Sequence, residues 1–302
     1  MKRLLTAAAA TILLFAGGCG GTSDEPTSTT GKSAGYPVTV GDLTVDKRPE
    51  KIVSLTPTAT EMLFAIGAGP QVTAVDDQSN FPANAPKTDL SGFKPNAEAI
   101  AAKNPDLVVL SDNIDSIVAQ LTKLKIPVYQ TPAATTIEQS YQQIEQLGTI
   151  TGHQAEAQAL HQRMDADIQK IVKSAPAGTT PLSYYYELDP TLYTATSKTF
   201  VGSIFTLFGM TNVADAAGAK GTYPQLSQEA LVKANPSTIF LADTKCCAQS
   251  ATTVAARKGW STIDAVRNGR IFALDDDIAS RWGPRTVDLV QAVADAVAKA
   301  RA

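Results

Sequence analysis

The stretch Glu98-Ala-Ile-Ala-Ala-Lys-Asn-Pro-Asp-Leu-Val-Val-Leu110 lies without a gap on Glu229-Ala-Leu-Val-Lys-Ala-Asn-Pro-Ser-Thr-Ile-Phe-Leu241, with Glu, Ala, Asn, Pro and the closing Leu coincident. Each copy reads as a short helix stopped at Asn-Pro, because proline disfavours helical geometry in the residue before it, and then a buried strand. Between the copies runs Gly152 to Ser174, where Leu160, Met164, Ile168, Ile171 and Val172 recur at helical spacing. Arg163, Asp165, Asp167, Lys170 and Lys173 occupy the other faces, which predicts an amphipathic rod of about 30 Å. Periodicity alone suits a helix packed on one large sheet equally well. The repeat favours two related lobes, at 36–150 and 176–302, joined by a strut over 151–175.

Inside the first lobe, short apolar runs at 51–55, 71–75, 106–110 and 127–130 alternate with helical stretches at 61–67, 97–103, 114–125 and 137–150. Strands alternating with helices predict a parallel, doubly wound sheet, whose ligand crevice lies beyond the carboxyl ends of the strands. The loops at that end are 56–58, 76–80, 92–96, 111–113 and 131–134. Thr58-x-x-Glu61 has the spacing of a helix capping box. No glycine-rich phosphate loop follows any strand, so no nucleotide cofactor is expected.

The second lobe offers strands at 181–188, 237–241 and 269–274, a helical run at 201–208 and a final amphipathic helix at 284–300. The loop Ser280-Arg-Trp-Gly-Pro-Arg285 concentrates cation and aromatic at a strand-end edge, and Asp243 and Lys245 flank Cys246-Cys247. Tyr184 and Tyr185 read as lobe core.

The amino terminus has another character. Lys2 and Arg3 precede the apolar run Leu4 to Phe15, and small residues then lead to Cys19, the layout of a secretory leader over residues 1–18. Gly17-Gly18-Cys19 resembles a bacterial lipobox, in which cleavage before the cysteine leaves it to carry lipid. Ala16 stands where a large aliphatic residue is usual. Residues 19–35 contain no large apolar side chain and read as a lipidated flexible tether. Loss of Lys2 and Arg3 with the leader lowers the basic count from 26 to 24 against 29 acids, a net charge of −5, and nothing in that balance suggests nucleic acid.

In order and spacing, Ser54-Leu-Thr-Pro-Thr-Ala-Thr-Glu61, Pro95-Asn-Ala-Glu98, Leu226-Ser-Gln-Glu229 and Trp282-Gly-Pro-Arg285 resemble the substrate-binding component of an iron-siderophore, haem or vitamin B12 ABC importer, the class with a rigid interdomain helix. The resemblance covers residues 36–302. It implies an α/β protein of two Rossmann-like lobes with parallel sheets, one long helix between them and a ligand cleft between the lobes. It implies that Glu98 and Glu229 dock on arginines of the membrane permease. Tyr223 matches an aromatic of the cobalamin-binding cleft, whereas Gln78 falls where such binders have another aromatic.

Ferric siderophores are often anionic and carry apolar rings, so a pocket for one calls for guanidinium groups and aromatic faces. Arg281, Arg285, Trp282, Phe93, Tyr186, Tyr193 and Tyr223, with Gln78, Asp243 and Lys245, are the candidate ligand residues. The expected solute is a ferric siderophore, with cobalamin or haem as alternatives on the same fold. Direct metal capture is not expected: His153 and His161 both lie on the strut. A hydrolase is the rival class, but G-x-S-x-G and H-E-x-x-H are absent. The expectation is therefore a lipid-anchored, extracytoplasmic monomer without cofactor, not an enzyme. An exported domain oxidises its thiols, and with Cys19 lipidated Cys246 and Cys247 can pair only with each other or between molecules; a disulfide between the two neighbours is the expectation.

Overall fold

The computed structural model describes residues 35–302. The leader, Cys19 and the tether as far as residue 34 lie outside the described residues. The first sheet is wholly parallel, in the order Lys87–Leu90, Val72–Asp76, Ile52–Ser54, Leu107–Leu110, Val128–Gln130. The chain starts at the central strand, builds outward on one side, then crosses back to build the other. The order of building therefore reverses between Ile52–Ser54 and Leu107–Leu110. Alternate residues of Leu107–Leu110 feed opposite faces: Leu107 and Val109 join one buried cluster with the helices Pro57–Ala65 and Ile137–Thr151, while Val108 and Leu110 meet Ile100, Ile117 and Leu121 on the other. Both faces are covered, which is why these strands read as unbroken apolar runs.

The second sheet repeats the plan with four parallel strands, Ile271–Ala273, Thr238–Leu241, Ser183–Glu187 and Thr211–Asn212. The two repeat strands occupy matching places, each beside the central strand of its lobe. Their helices, Ala97–Ala101 and Gln228–Ala234, are each followed by a left-handed asparagine before the proline, Asn104 at φ 51° and Asn235 at φ 45°. Asparagine tolerates that geometry, so the repeated Asn-Pro is a stop in which the asparagine turns the chain and the proline prevents the helix from continuing.

The strut is Gln154–Ser174, with Ala157, Leu160, Met164 and Ile168 buried. Thr151 and Gly152 do not open it. They close the preceding helix Ile137–Thr151, which Gly152 caps at φ 75°. Gly148 allows the two helices to meet, since a Cβ there would collide with Ala157. The strut also packs on the last helix, Thr286–Arg301. One continuous apolar cluster runs from Met62 and Leu63 through Leu160, Met164 and Ile168 to Tyr184, Phe205 and Val290, so it passes from one lobe to the other through the strut. Each fully buried side chain of that size contributes about 1.5–3 kcal/mol, and bending the lobes apart would expose several together.

Four short strands escaped the sequence reading. Lys87–Leu90 is a polar sheet edge, and Thr211–Asn212 and the hairpin of Val38–Val40 with Leu43–Val45 are too short for a periodic signal. Among the described residues no helix is long and apolar enough to cross a membrane.

Candidate functional site

A cavity of about 380 Å³ opens where the order of building reverses in the first lobe. Its floor is Leu55 to Thr58 after the central strand and Leu110 to Asp112 after the neighbouring one. Asp76, Gln78, Gly92, Phe93, Pro95 and Ala133 complete that side, so each of the five loops at the carboxyl ends contributes. The opposite wall comes from the second lobe, through Asp277 and Ser280 to Trp282. Gly92 has a steric reason: a Cβ there would run into the Leu55 carbonyl.

The buried carboxylate of Glu61 reaches across the lobes and holds two arginines. Arg281 Nη1 donates to Oε1 at 2.7 Å, Arg285 Nη2 donates to the same oxygen at 2.6 Å, and Arg285 Nε donates to Oε2 at 2.9 Å. The side chains of Glu61 and Arg281 are 1% and 8% exposed. Glu61 is therefore not a helix cap: Thr56 precedes the helix without a side-chain bond to it, and the glutamate is the anchor of an interlobe ion cluster. Arg281 makes three further bonds, from Nη1 to Asn80 Oδ1 at 2.9 Å, and from Nη2 to the Gln78 carbonyl at 3.2 Å and Asp277 Oδ1 at 2.9 Å. All four of its terminal N–H groups are engaged. Arg285 lies over the Phe81 ring, 4.5 Å from the centroid.

The cluster extends into the cysteine loop. Lys245 Nζ pairs with Asp275 at 2.7 Å and with Asp277 at 2.8 Å. Burial pushes the Asp277 carboxyl up, but Lys245 and Arg281 outweigh it and hold the group below its ordinary value. The Asp276 carboxylate accepts the backbone N–H groups of Thr244, Lys245 and Cys246, and the structure pairs Cys246 with Cys247 in that loop, their Cα atoms 3.8 Å apart. Asp76, on the cavity floor, is pushed up to about 6 by burial, which its bond from Ser79 only partly offsets.

Four of the ten candidate ligand residues come together around the cavity: Gln78, Phe93, Arg281 and Trp282. Phe93 is 71% exposed. Trp282 is pinned from behind, its indole Nε1 donating to Gln143 at 2.8 Å and its carbonyl accepting from Ser140. Tyr193 and Tyr223 stand exposed in loops beyond the carboxyl end of Ser183–Glu187, outside the cavity lining. Lys245 and Arg285 also lie outside it, in the ion cluster.

Tyr186 and Asp243 need correction as crevice residues. Tyr186 belongs to the central strand of the second sheet, where both faces are covered, and its hydroxyl donates to the Ala279 carbonyl at 3.1 Å. Asp243 is completely buried, with neither carboxylate oxygen hydrogen-bonded. It neighbours Glu187, itself held by Arg257 through two bonds of 2.6 Å. Burial first, and the Glu187 carboxylate second, push Asp243 up to about 7. Sequence reasoning missed the roles of Glu61, Glu187 and Arg257; a charge beside an apolar run was the available signal for the two glutamates, and Arg257 carried none.

Glu98 and Glu229 are exposed in the first turns of the paired repeat helices, and neither forms an ion pair with the described residues.

A family model described as periplasmic binding protein matches residues 52–278. The chain belongs to the periplasmic binding protein family. That family consists of solute-binding proteins, not enzymes. This periplasmic binding protein is 31% identical over 296 residues to the ABC transporter substrate-binding lipoprotein YvrC of Bacillus subtilis, covering 93% of this chain and 92% of that one. It is 28% identical over 279 residues to a cobalamin-binding protein of Halobacterium salinarum, with 88% and 75% covered. Among solved structures it resembles the periplasmic vitamin B12 binding protein BtuF of Vibrio cholerae, with a TM-score of 0.69, 26% identity, and 84% and 98% of the two chains covered. The two-lobed fold with its interlobe cleft is shared with that structure.

Proposed function

We propose that this binding protein captures a corrinoid of the vitamin B12 type in its interlobe cleft and delivers it to an ABC permease. The observation that carries the choice of solute is the state of Arg281. Among the described residues lining the cavity it is the one cation, and its terminal donors are already held by Glu61, Asn80, Asp277 and the Gln78 carbonyl. The other charged lining residues are Asp76, Asp112 and Asp277. An apolar cavity with acidic edges suits a large solute without net negative charge, whose carboxamides can bond to Gln78 and to hydroxyls such as those of Thr56 and Ser111. Cyanocobalamin has that chemistry. The names of the Halobacterium and Vibrio relatives support the same reading.

A ferric siderophore is the second reading, favoured by exposed Phe93, Tyr193 and Tyr223. It requires Arg281 to exchange Glu61 for a ligand oxygen. Delivery is assigned to Glu98 and Glu229, exposed and unpaired among the described residues on matching helices of the two lobes. Charge pairing of that kind sets register and encounter rate more than affinity. The lipobox-like Gly-Gly-Cys19 and the lipoprotein relative support anchoring to the outer face of the cell membrane.

The test is a fluorescence titration with cyanocobalamin, ferric citrate and haemin, read through Trp282 on the cavity wall. Saturable quenching by cyanocobalamin at micromolar concentration is expected. Binding of ferric citrate or haemin with no response to cyanocobalamin would replace the corrinoid reading.

A further inference from the structure

We propose that Glu61 sets the charge of the solute that the cleft accepts. This rests on the corrinoid reading and adds to it a residue that touches no ligand. A guanidinium in a cleft wall with a second one beside it would ordinarily recruit carboxylates, catecholates or propionates, because arginine presents paired N–H donors that match such oxygens. Here Glu61 takes part of those donors from inside, and its neighbours take most of the rest on Arg281. Arg285 gives it Nε and one Nη, and Arg281 gives it one Nη N–H while Asn80, Asp277 and the Gln78 carbonyl take the other three.

Three cations, Arg281, Arg285 and Lys245, thus face three carboxylates, Glu61, Asp275 and Asp277, in one cluster along the second-lobe wall. The wall carries no excess of positive charge, since Asp276 beside Lys245 adds a fourth carboxylate, and the floor adds Asp76 and Asp112. An anionic chelate entering this cleft would lose its water to a surface with no free terminal donor on Arg281, and would meet two aspartates. A neutral solute pays neither cost. Glu61 is suited to the role because it lies behind the arginines, 1% exposed, and neutralises them without standing in the cavity.

Replacing Glu61→Gln keeps the side-chain volume and raises the local charge by one. The variant should bind ferric citrate anion about tenfold or more tightly than the parent, with a gain that shrinks as salt is added. Its affinity for cyanocobalamin should change no more than about threefold. Two controls separate charge from loosening of the lobes. Glu61→Gln combined with Arg285→Gln restores the parental charge and should return ferric citrate binding to the parental level. Asp277→Asn raises the charge by one from the other side of Arg281, at a side chain 25% exposed, and should also tighten ferric citrate binding, so the test does not depend on one variant folding.

Equal ferric citrate affinity in the parent, Glu61→Gln and Asp277→Asn overturns the proposal. So does a gain that persists in the charge-restored double variant, which would assign the effect to opening of the cleft. A parent that binds no cyanocobalamin, combined with charge-dependent ferric citrate binding in the variants, would remove the corrinoid reading and leave the role of Glu61 standing.

Discussion

Replacing Glu61 with alanine tests whether the interlobe ion cluster holds the two lobes together. The carboxylate accepts three charge-assisted bonds of 2.6–2.9 Å from arginines more than 200 residues away. Removing one partner of a buried ion pair costs about 3–5 kcal/mol, because the other charge remains buried without compensation. The structure points to the lower end of that range. Arg281, 8% exposed, keeps Asp277 and Asn80, and Arg285, 19% exposed, can turn to water while staying on Phe81. Glu61→Ala should therefore lower the free energy of unfolding by about 3 kcal/mol. Arg281→Ala leaves Glu61 with Arg285, and the double variant should cost less than the two single changes added together, by about 1–2 kcal/mol. Urea unfolding at neutral pH measures all three, with an unchanged m-value as the sign that the denatured state is the same. A loss below about 1 kcal/mol for Glu61→Ala, or a coupling below about 0.5 kcal/mol, would refute the cluster as a load across the lobes.

Three other outcomes follow from the geometry. Asp243 takes up its proton more readily folded than unfolded, so the stability it confers is full below its unfolded value of 3.8 and is lost as pH rises through about 7. Asp243→Asn should flatten the decline in stability between those pH values, and an unchanged slope would show that the carboxyl is solvated. Changing both Glu98 and Glu229 to Ala should abolish uptake while leaving affinity for the solute in solution intact; weakened binding would place them in the cleft. Alkylation of the unreduced protein from residue 35 onward should add no mass if Cys246 and Cys247 are oxidised together, and two alkyl groups would show free thiols.

The fold was legible wherever the apolar pattern was periodic. The repeat located both strands that flank the central ones, and the spacing from Leu160 to Ile168 located the strut, because these signals depend on neighbours within a few turns. The strand Lys87–Leu90 was not legible, since an edge strand with exposed polar side chains carries no such pattern. At the site, the five loops could be named from strand direction, but the partners of charged groups could not. Thr58-x-x-Glu61 offered a local explanation for Glu61, and its real partners lie 220 and 224 residues further on. Tyr186 shows the same limit in another form. Alternation identified its strand, yet nothing local indicated that helices cover both faces of that sheet.

The most direct test of the account is calorimetric titration of cyanocobalamin into the protein and into Ser111→Trp, whose new side chain would fill the cavity at the carboxyl end of Leu107–Leu110. One solute per protein with a Kd of about 1 µM or tighter, weakened at least about tenfold in the filled variant, is the predicted result. Absence of binding in the parent, or equal affinity in the filled variant, would contradict it.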